Sequence, residues 1–182
     1  MLRDMNVQGI SNRDGRQLEV VANGLPLYGG AQLAVDATLV SPIRRNGTPQ
    51  PHAATEDGAW LVQARRRKER KYHELLAARR CRLVVLGMEV GGRWSEEAQR
   101  FVLQLAKAKA RTVPALLRPS ARAAFAHRWT GILAVAAQRA LAATLLELPV
   151  DDAEGVDGEP PLLEDVLLDA RLIDPPQPSR LR

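Results

Sequence analysis

Apolar and polar positions alternate through Gln32–Ser41, where Leu33, Val35, Ala37 and Leu39 interleave with Ala34, Asp36, Thr38 and Val40. A period of two predicts a β-strand, with Asp36 and Thr38 on one face among neighbours that are mostly apolar. Two further runs predict strands: Leu18-Glu19-Val20-Val21, closed by the turn signal Asn23-Gly24, and Leu83-Val84-Val85-Leu86 within Cys81–Val90, closed by Gly91-Gly92. Residues Ala59–Arg80 contain neither Gly nor Pro and are rich in Ala, Arg, Leu and Glu, which predicts one long helix. A second helix is expected from Ser95, a suitable N-cap with Glu96 and Glu97 in the first turn, to about Arg111. A third follows the Pro114 and Pro119 interruptions, over roughly residues 120–148.

This order predicts an α/β fold: a small mixed β-sheet flanked by helices, a helical extension at the C-terminal side, and a tail. Residues 1–16 are polar, lack an apolar period and read as a flexible lead-in; 17–112 form the α/β core, 113–149 the helical extension and 150–182 an acidic, mostly disordered tail. Within that tail, 162–173 carries an amphipathic pattern that suits a short helix.

Charge divides at the same boundary. Residues 1–150 hold 23 Lys and Arg against 12 Asp and Glu, a net +11, whereas 151–182 hold 3 against 9, a net −6. So basic a body favours polyanions, DNA first and RNA second, although an anionic surface or an acidic protein offers the same attraction. The single Cys81 excludes an internal disulfide, and no run approaches the length of about 18–20 apolar residues that spans a bilayer. With no signal peptide in the opening residues, the expectation is an intracellular protein, nuclear or cytoplasmic, without membrane contact.

Three features combine into candidate chemistry: Glu19 on the first strand, Asp36 on the second, and Lys68-Glu69-Arg70-Lys71-Tyr72 on the helix that follows. Carboxylates on adjacent strands suit Mg²⁺, with Mn²⁺ as an alternative, because these ions take oxygen ligands and retain waters. A lysine beside them can orient water or stabilise charge on a phosphate under attack. Arg65, Arg66, Arg67 and Arg70 extend the basic helix as phosphate contacts. Each residue also has an ordinary reading: Asp36 and Glu19 as hydrogen-bonded or edge acids, the lysines as a solvated face, Tyr72 as a boundary aromatic, and Glu89 as a strand-end acid rather than a further site residue. Gly91-Gly92-Arg93-Trp94 lacks the spacing of a phosphate loop, and His52, His73 and His127 lack metal-ligand spacing.

At these residues the chain resembles the PD-(D/E)XK superfamily, specifically the restriction-endonuclease-like domain found C-terminal to the reverse transcriptase of site-specific non-LTR retrotransposons. The resemblance covers roughly Arg16–Arg111. Arg16-Gln17-Leu18-Glu19 would stand for the family's basic residue, proline and aspartate, Leu33-Ala34-Val35-Asp36-Ala37-Thr38 for its second acid in an apolar strand, and Lys68, Lys71 and Tyr72 for its helical lysines and tyrosine. Glu19 replaces the usual aspartate, no proline precedes it, and Thr38 stands where many members place lysine. The resemblance implies Mg²⁺-dependent hydrolysis of DNA phosphodiester bonds, with Glu19 and Asp36 as ligands, Lys68 and Lys71 as catalytic residues and a reverse transcriptase as a former neighbour in the chain. A nucleic-acid-binding derivative without catalysis and a helical protein-interaction module are the alternatives.

Overall fold

The computed structural model describes Met5, Val7, Ile10 and residues 13–146. Three strands form one mixed sheet in the order β1 (Val20–Ala22), β2 (Gln32–Val40), β3 (Cys81–Glu89). β1 runs antiparallel to β2, Val20 opposite Val35, and β3 runs parallel to β2, Asp36 opposite Val85. Parallel neighbours require a crossover, which α1 (Ala59–Lys71) and α2 (His73–Ala77) supply; α3 (Glu96–Ala110) and α4 (Arg118–Leu146) follow. The expected mixed α/β architecture with a small sheet is therefore present. The predicted tail over 150–182 lies outside the described residues.

The chain divides into two compact units, residues 1–101 and 102–182, so that α3 begins in the first and ends in the second. In the first unit, Ala34, Leu83 and Val85 line one sheet face and pack with Leu18, Tyr72 and Leu75. Met5, in the segment expected to be a flexible lead-in, is 2% exposed in this core, and Val7 and Ile10 pack against it. Further along the same face Val40, Leu61 and Ala64 form a smaller cluster. Gly87 permits it, because a side chain there would meet Leu61 Cδ2 at 3.2 Å.

Two features depart from the sequence reading in the crossover and at the sheet edge. The helix expected over Ala59–Arg80 breaks at Tyr72, whose φ of −122° and ψ of 41° are not helical. The cause is tertiary: the Arg16 guanidinium donates to the carbonyl of Lys71, and the Tyr72 ring turns into the core. β3 is an edge strand, and the Glu97 carboxylate accepts the Val85 N–H at 3.2 Å, while the Ser95 N–H donates to the Gly87 carbonyl at 2.9 Å. Ser95 caps α3 as its sequence suggests, its Oγ accepting the Ala98 N–H at 3.2 Å.

In the second unit, Ala106 and Ala110 of α3 pack on Ala121, Ala124 and Phe125 of α4, and Phe125 stacks on Trp129 with centroids 5.5 Å apart. No residue of α4 beyond Phe125 is buried among the described residues. By length and composition Ala115–Leu146 is long and apolar enough to cross a membrane. This corrects the expectation that no stretch reaches that length: alanines separate the arginines widely enough that a helix-length window stays apolar, although the apolar residues are not contiguous.

Candidate functional site

Asp36 is 1% exposed, a carboxylate between Leu33-Ala34-Val35 and Ala37 in the middle of β2. Burial of a carboxylate requires partners, and α1 and its C-terminal break deliver them. The Lys68 ammonium forms an ion pair with Oδ2, and the Tyr72 hydroxyl lies 3.2 Å from Oδ1. Lys68 and Tyr72 stand four residues apart, one turn of helix, so both reach the same carboxylate from above the sheet. The break at Tyr72 tips its ring inward.

Glu19 immediately precedes β1, and the antiparallel register continued by one residue sets it opposite Asp36, on the same sheet face. The carboxylates sense each other. Partial desolvation first, and the charge of Asp36 second, raise the Glu19 carboxyl above its ordinary range, with Lys68 and Lys71 opposing. Burial and Asp36 also push the Tyr72 phenol up to about 12, so at neutral pH it keeps its proton and serves as a hydrogen-bond donor. The same hydroxyl also bonds to the Gln17 carbonyl, two residues before Glu19. Tyr72 thus ties the Glu19 segment to Asp36.

A second clamp holds that segment. The Arg16 guanidinium spans Asp14 Oδ2 at 2.7 Å, Glu74 Oε1 at 2.6 Å and the Lys71 carbonyl. Asp14 and Glu74 are both held below the usual carboxylate range, chiefly by hydrogen bonds from Arg16, and the guanidinium is correspondingly raised. Lys71 extends over the Tyr72 ring, its Nζ 4.9 Å from the centroid.

The structure therefore brings together Asp36, Lys68 and Tyr72 by contact, Glu19 by register, and Lys71 by the aromatic face. It does not bring Glu89 there. Glu89 lies on the same sheet face four residues beyond Val85, about 13 Å further along β3, and its carboxylate faces Arg93 at 3.7 Å. Of the four arginines expected to meet phosphate, Arg65 is engaged within the protein, by Glu69 at 2.9 Å and by Glu97. Arg66, Arg67 and Arg70 are exposed, with Arg67 stacked over Trp60 at 5.6 Å. Sequence reasoning missed the role of Glu74, for which a lone acid at the start of a short helix gives little signal. It also missed the Gln17 carbonyl, which no side-chain pattern reveals.

Among the described residues no three His, Cys, Asp or Glu side chains converge as a metal-binding group. A cation here would rest on Glu19, Asp36 and waters, the sparse oxygen set that Mg²⁺ accepts and that zinc sites rarely use. Two facing carboxylates, one of them with its affinity for a proton raised by partial burial and then by its neighbour, fit that ion chemically, with the Lys68 ammonium supplying the counter-charge in its place. No protein-family model, no curated protein and no solved structure matches this chain.

Proposed function

We propose that this protein is a metal-dependent endonuclease-like domain of retroelement type that hydrolyses DNA phosphodiester bonds. The observation that carries the reading is the buried Asp36 carboxylate, faced by Glu19 across the sheet and contacted by Lys68 and Tyr72. Glu19 and Asp36 would hold Mg²⁺ or Mn²⁺, which when bound supplies Lewis-acid activation of water and charge neutralisation at phosphate. Lys68 would exchange its carboxylate partner for the phosphate, where its ammonium would stabilise the negative charge that develops as the phosphodiester bond breaks. Tyr72 keeps Asp36 oriented. Lys71, exposed beside the same ring, attracts the phosphate backbone, as do Arg66, Arg67 and Arg70. This activity belongs inside the cell, in the nucleus or cytoplasm, where its DNA substrate lies.

The test is nicking of supercoiled plasmid with Mg²⁺ or Mn²⁺, against an EDTA control and Asp36→Asn, whose fold is checked by circular dichroism. Nicking that needs the metal and disappears in Asp36→Asn is the expected result; undiminished nicking in a folded Asp36→Asn overturns the assignment.

One observation favours a second reading. The Lys68 ammonium already offsets the charge of the buried Asp36 carboxylate without a metal ion. Salt-sensitive DNA binding without nicking would make this a non-catalytic nucleic-acid-binding derivative.

A further inference from the structure

A second cleft lies where β2 and β3 begin, past the C-terminal end of α2. Its volume is about 990 Å³, and Gln32, His73, Glu74, Arg79, Arg80 and Cys81 are among the residues that line it. Its charge is one-sided. Among the described lining residues Glu74 is the only acid, and Arg16 already takes it at 2.6 Å and holds it below the usual carboxylate range by hydrogen bonding. Arg79 and Arg80 are exposed, and among the described residues neither guanidinium has an acidic or hydrogen-bonding partner. Two like charges at one rim, with no acid left to offset them, attract an anion.

The fold sets this cleft in line with Asp36. Leu61, near the start of α1, packs with Val40 at the end of β2, while Tyr72 and Leu75 pack with Ala34 and Leu83. The crossover helices therefore run back over the sheet antiparallel to β2. Lys68 meets Asp36 midway along this path, Arg66 and Arg67 precede it, and Arg79 and Arg80 follow at the far end. Gln32 stands four residues before Asp36 on the same face of β2, about 13 Å from it. At about 3.4 Å of rise per nucleotide in one strand of a duplex, that separation is about four nucleotides.

We propose that Arg79 and Arg80 hold the phosphodiester backbone of DNA in this cleft, about four nucleotides from the phosphate at Asp36, so that the strand is gripped on both sides of the candidate site. The inference rests on DNA being the ligand of that site, and it adds an anchor outside the basic helix α1. Guanidinium suits the task, because its fork of N–H donors matches phosphate oxygens. Such contacts fix the register of the strand and carry no base preference. Position, not net charge, selects these two residues. Arg82 carries the same charge two positions on, but the alternation of β3 sets it on the sheet face opposite Leu83 and Val85, its guanidinium 5.5 Å over the Tyr28 ring.

Fluorescence anisotropy of a labelled DNA duplex with the full chain, in EDTA and at several salt concentrations, tests it. Arg79→Gln/Arg80→Gln, its fold checked by circular dichroism, should lower the slope of log K against log salt by about 1.8, the sum for two lost phosphate contacts. Arg82→Gln should leave the slope nearly unchanged. An unchanged slope in the folded double variant overturns the cleft assignment, and a reduced slope in Arg66→Gln/Arg70→Gln at the same time shows that DNA binding itself stands. A loss in Arg82→Gln as large as that per arginine in the double variant would reveal an effect of bulk charge alone, and it overturns the assignment too. Failure of the parent chain to bind the duplex at all overturns this inference together with the reading on which it rests.

Discussion

The hydroxyl of Tyr72 lies 3.2 Å from Oδ1 of Asp36, across 36 positions of sequence and between a helix break and the middle of a strand. One proton there serves two acceptors, the Asp36 carboxylate and the Gln17 carbonyl, both on the strand side of the core. Tyr72→Phe leaves the ring packing intact and removes only this link. The expected loss is about 1–3 kcal/mol of unfolding free energy, the range for leaving buried polar atoms short of a partner, read from urea denaturation. A change within error would mean that the phenol is not the tie between the two strands.

Lys68 gives a sharper contrast. Lys68→Met strips a buried carboxylate of its counter-charge and should cost about 3 kcal/mol or more, whereas Lys68→Met with Asp36→Leu removes both charges and should recover most of that loss. Equal destabilisation in the single and double variants would show that the ion pair is not what Asp36 depends on. A double-mutant cycle on the same denaturation curves supplies the coupling.

The two pH responses differ in sign. Glu19 has a raised carboxyl pKa in the folded chain, so its contribution is unfavourable: absent below its unfolded value of about 4.5, it develops as pH rises through the raised folded value. Glu19→Gln should therefore be more stable than the parent at pH 7, with the difference vanishing below 4.5, and saturating Mg²⁺ should stabilise the parent alone. Glu74 is held low by Arg16, so its contribution is present above about 4.5 and is lost as pH falls through its folded value. Arg16→Met should remove that acid-sensitive component, together with about 1 kcal/mol at neutral pH. Thermal unfolding between about pH 3 and pH 8 distinguishes the two residues.

The basic helix should behave unevenly toward DNA. Replacing exposed Arg66, Arg67 or Arg70 with Gln should weaken binding and lower the slope of log K against log salt by about 0.9 for each phosphate left without its cation. Arg65→Gln should leave that slope nearly unchanged and destabilise the fold instead, because Glu69 and Glu97 already occupy its guanidinium. Fluorescence anisotropy at several salt concentrations, beside a denaturation curve, separates the two effects.

Local pattern was enough for the elements that local pattern governs. The alternation through Gln32–Ser41 marks β2 nearly to the residue, Ser95 marks the start of α3, and an acid inside an apolar strand singles out Asp36. The break at Tyr72 was not legible, since residues 59–80 hold no Gly or Pro to mark it, and the interruption comes with Arg16, more than fifty residues away, which takes the Lys71 carbonyl. Met5, Val7 and Ile10 lie too irregularly in a polar segment to announce burial, and only the hollow above Leu18 and Tyr72 gives them a place. The same holds within the candidate site. Lysines one turn apart are visible in sequence, but which of them meets Asp36 depends on how α1 is rotated over the sheet.

Glu97 holds a consequence beyond the site. A bare outer strand is a template on which another molecule's strand can pair, and successive additions lead to fibrils. Here the Val85 N–H is already taken by a charged side chain, the Gly87 carbonyl by Ser95, and the opposite border of the sheet is a strand of only three residues. An incoming strand would have to displace a carboxylate that Arg65 also grips, so both borders of this small sheet discourage edge-to-edge aggregation.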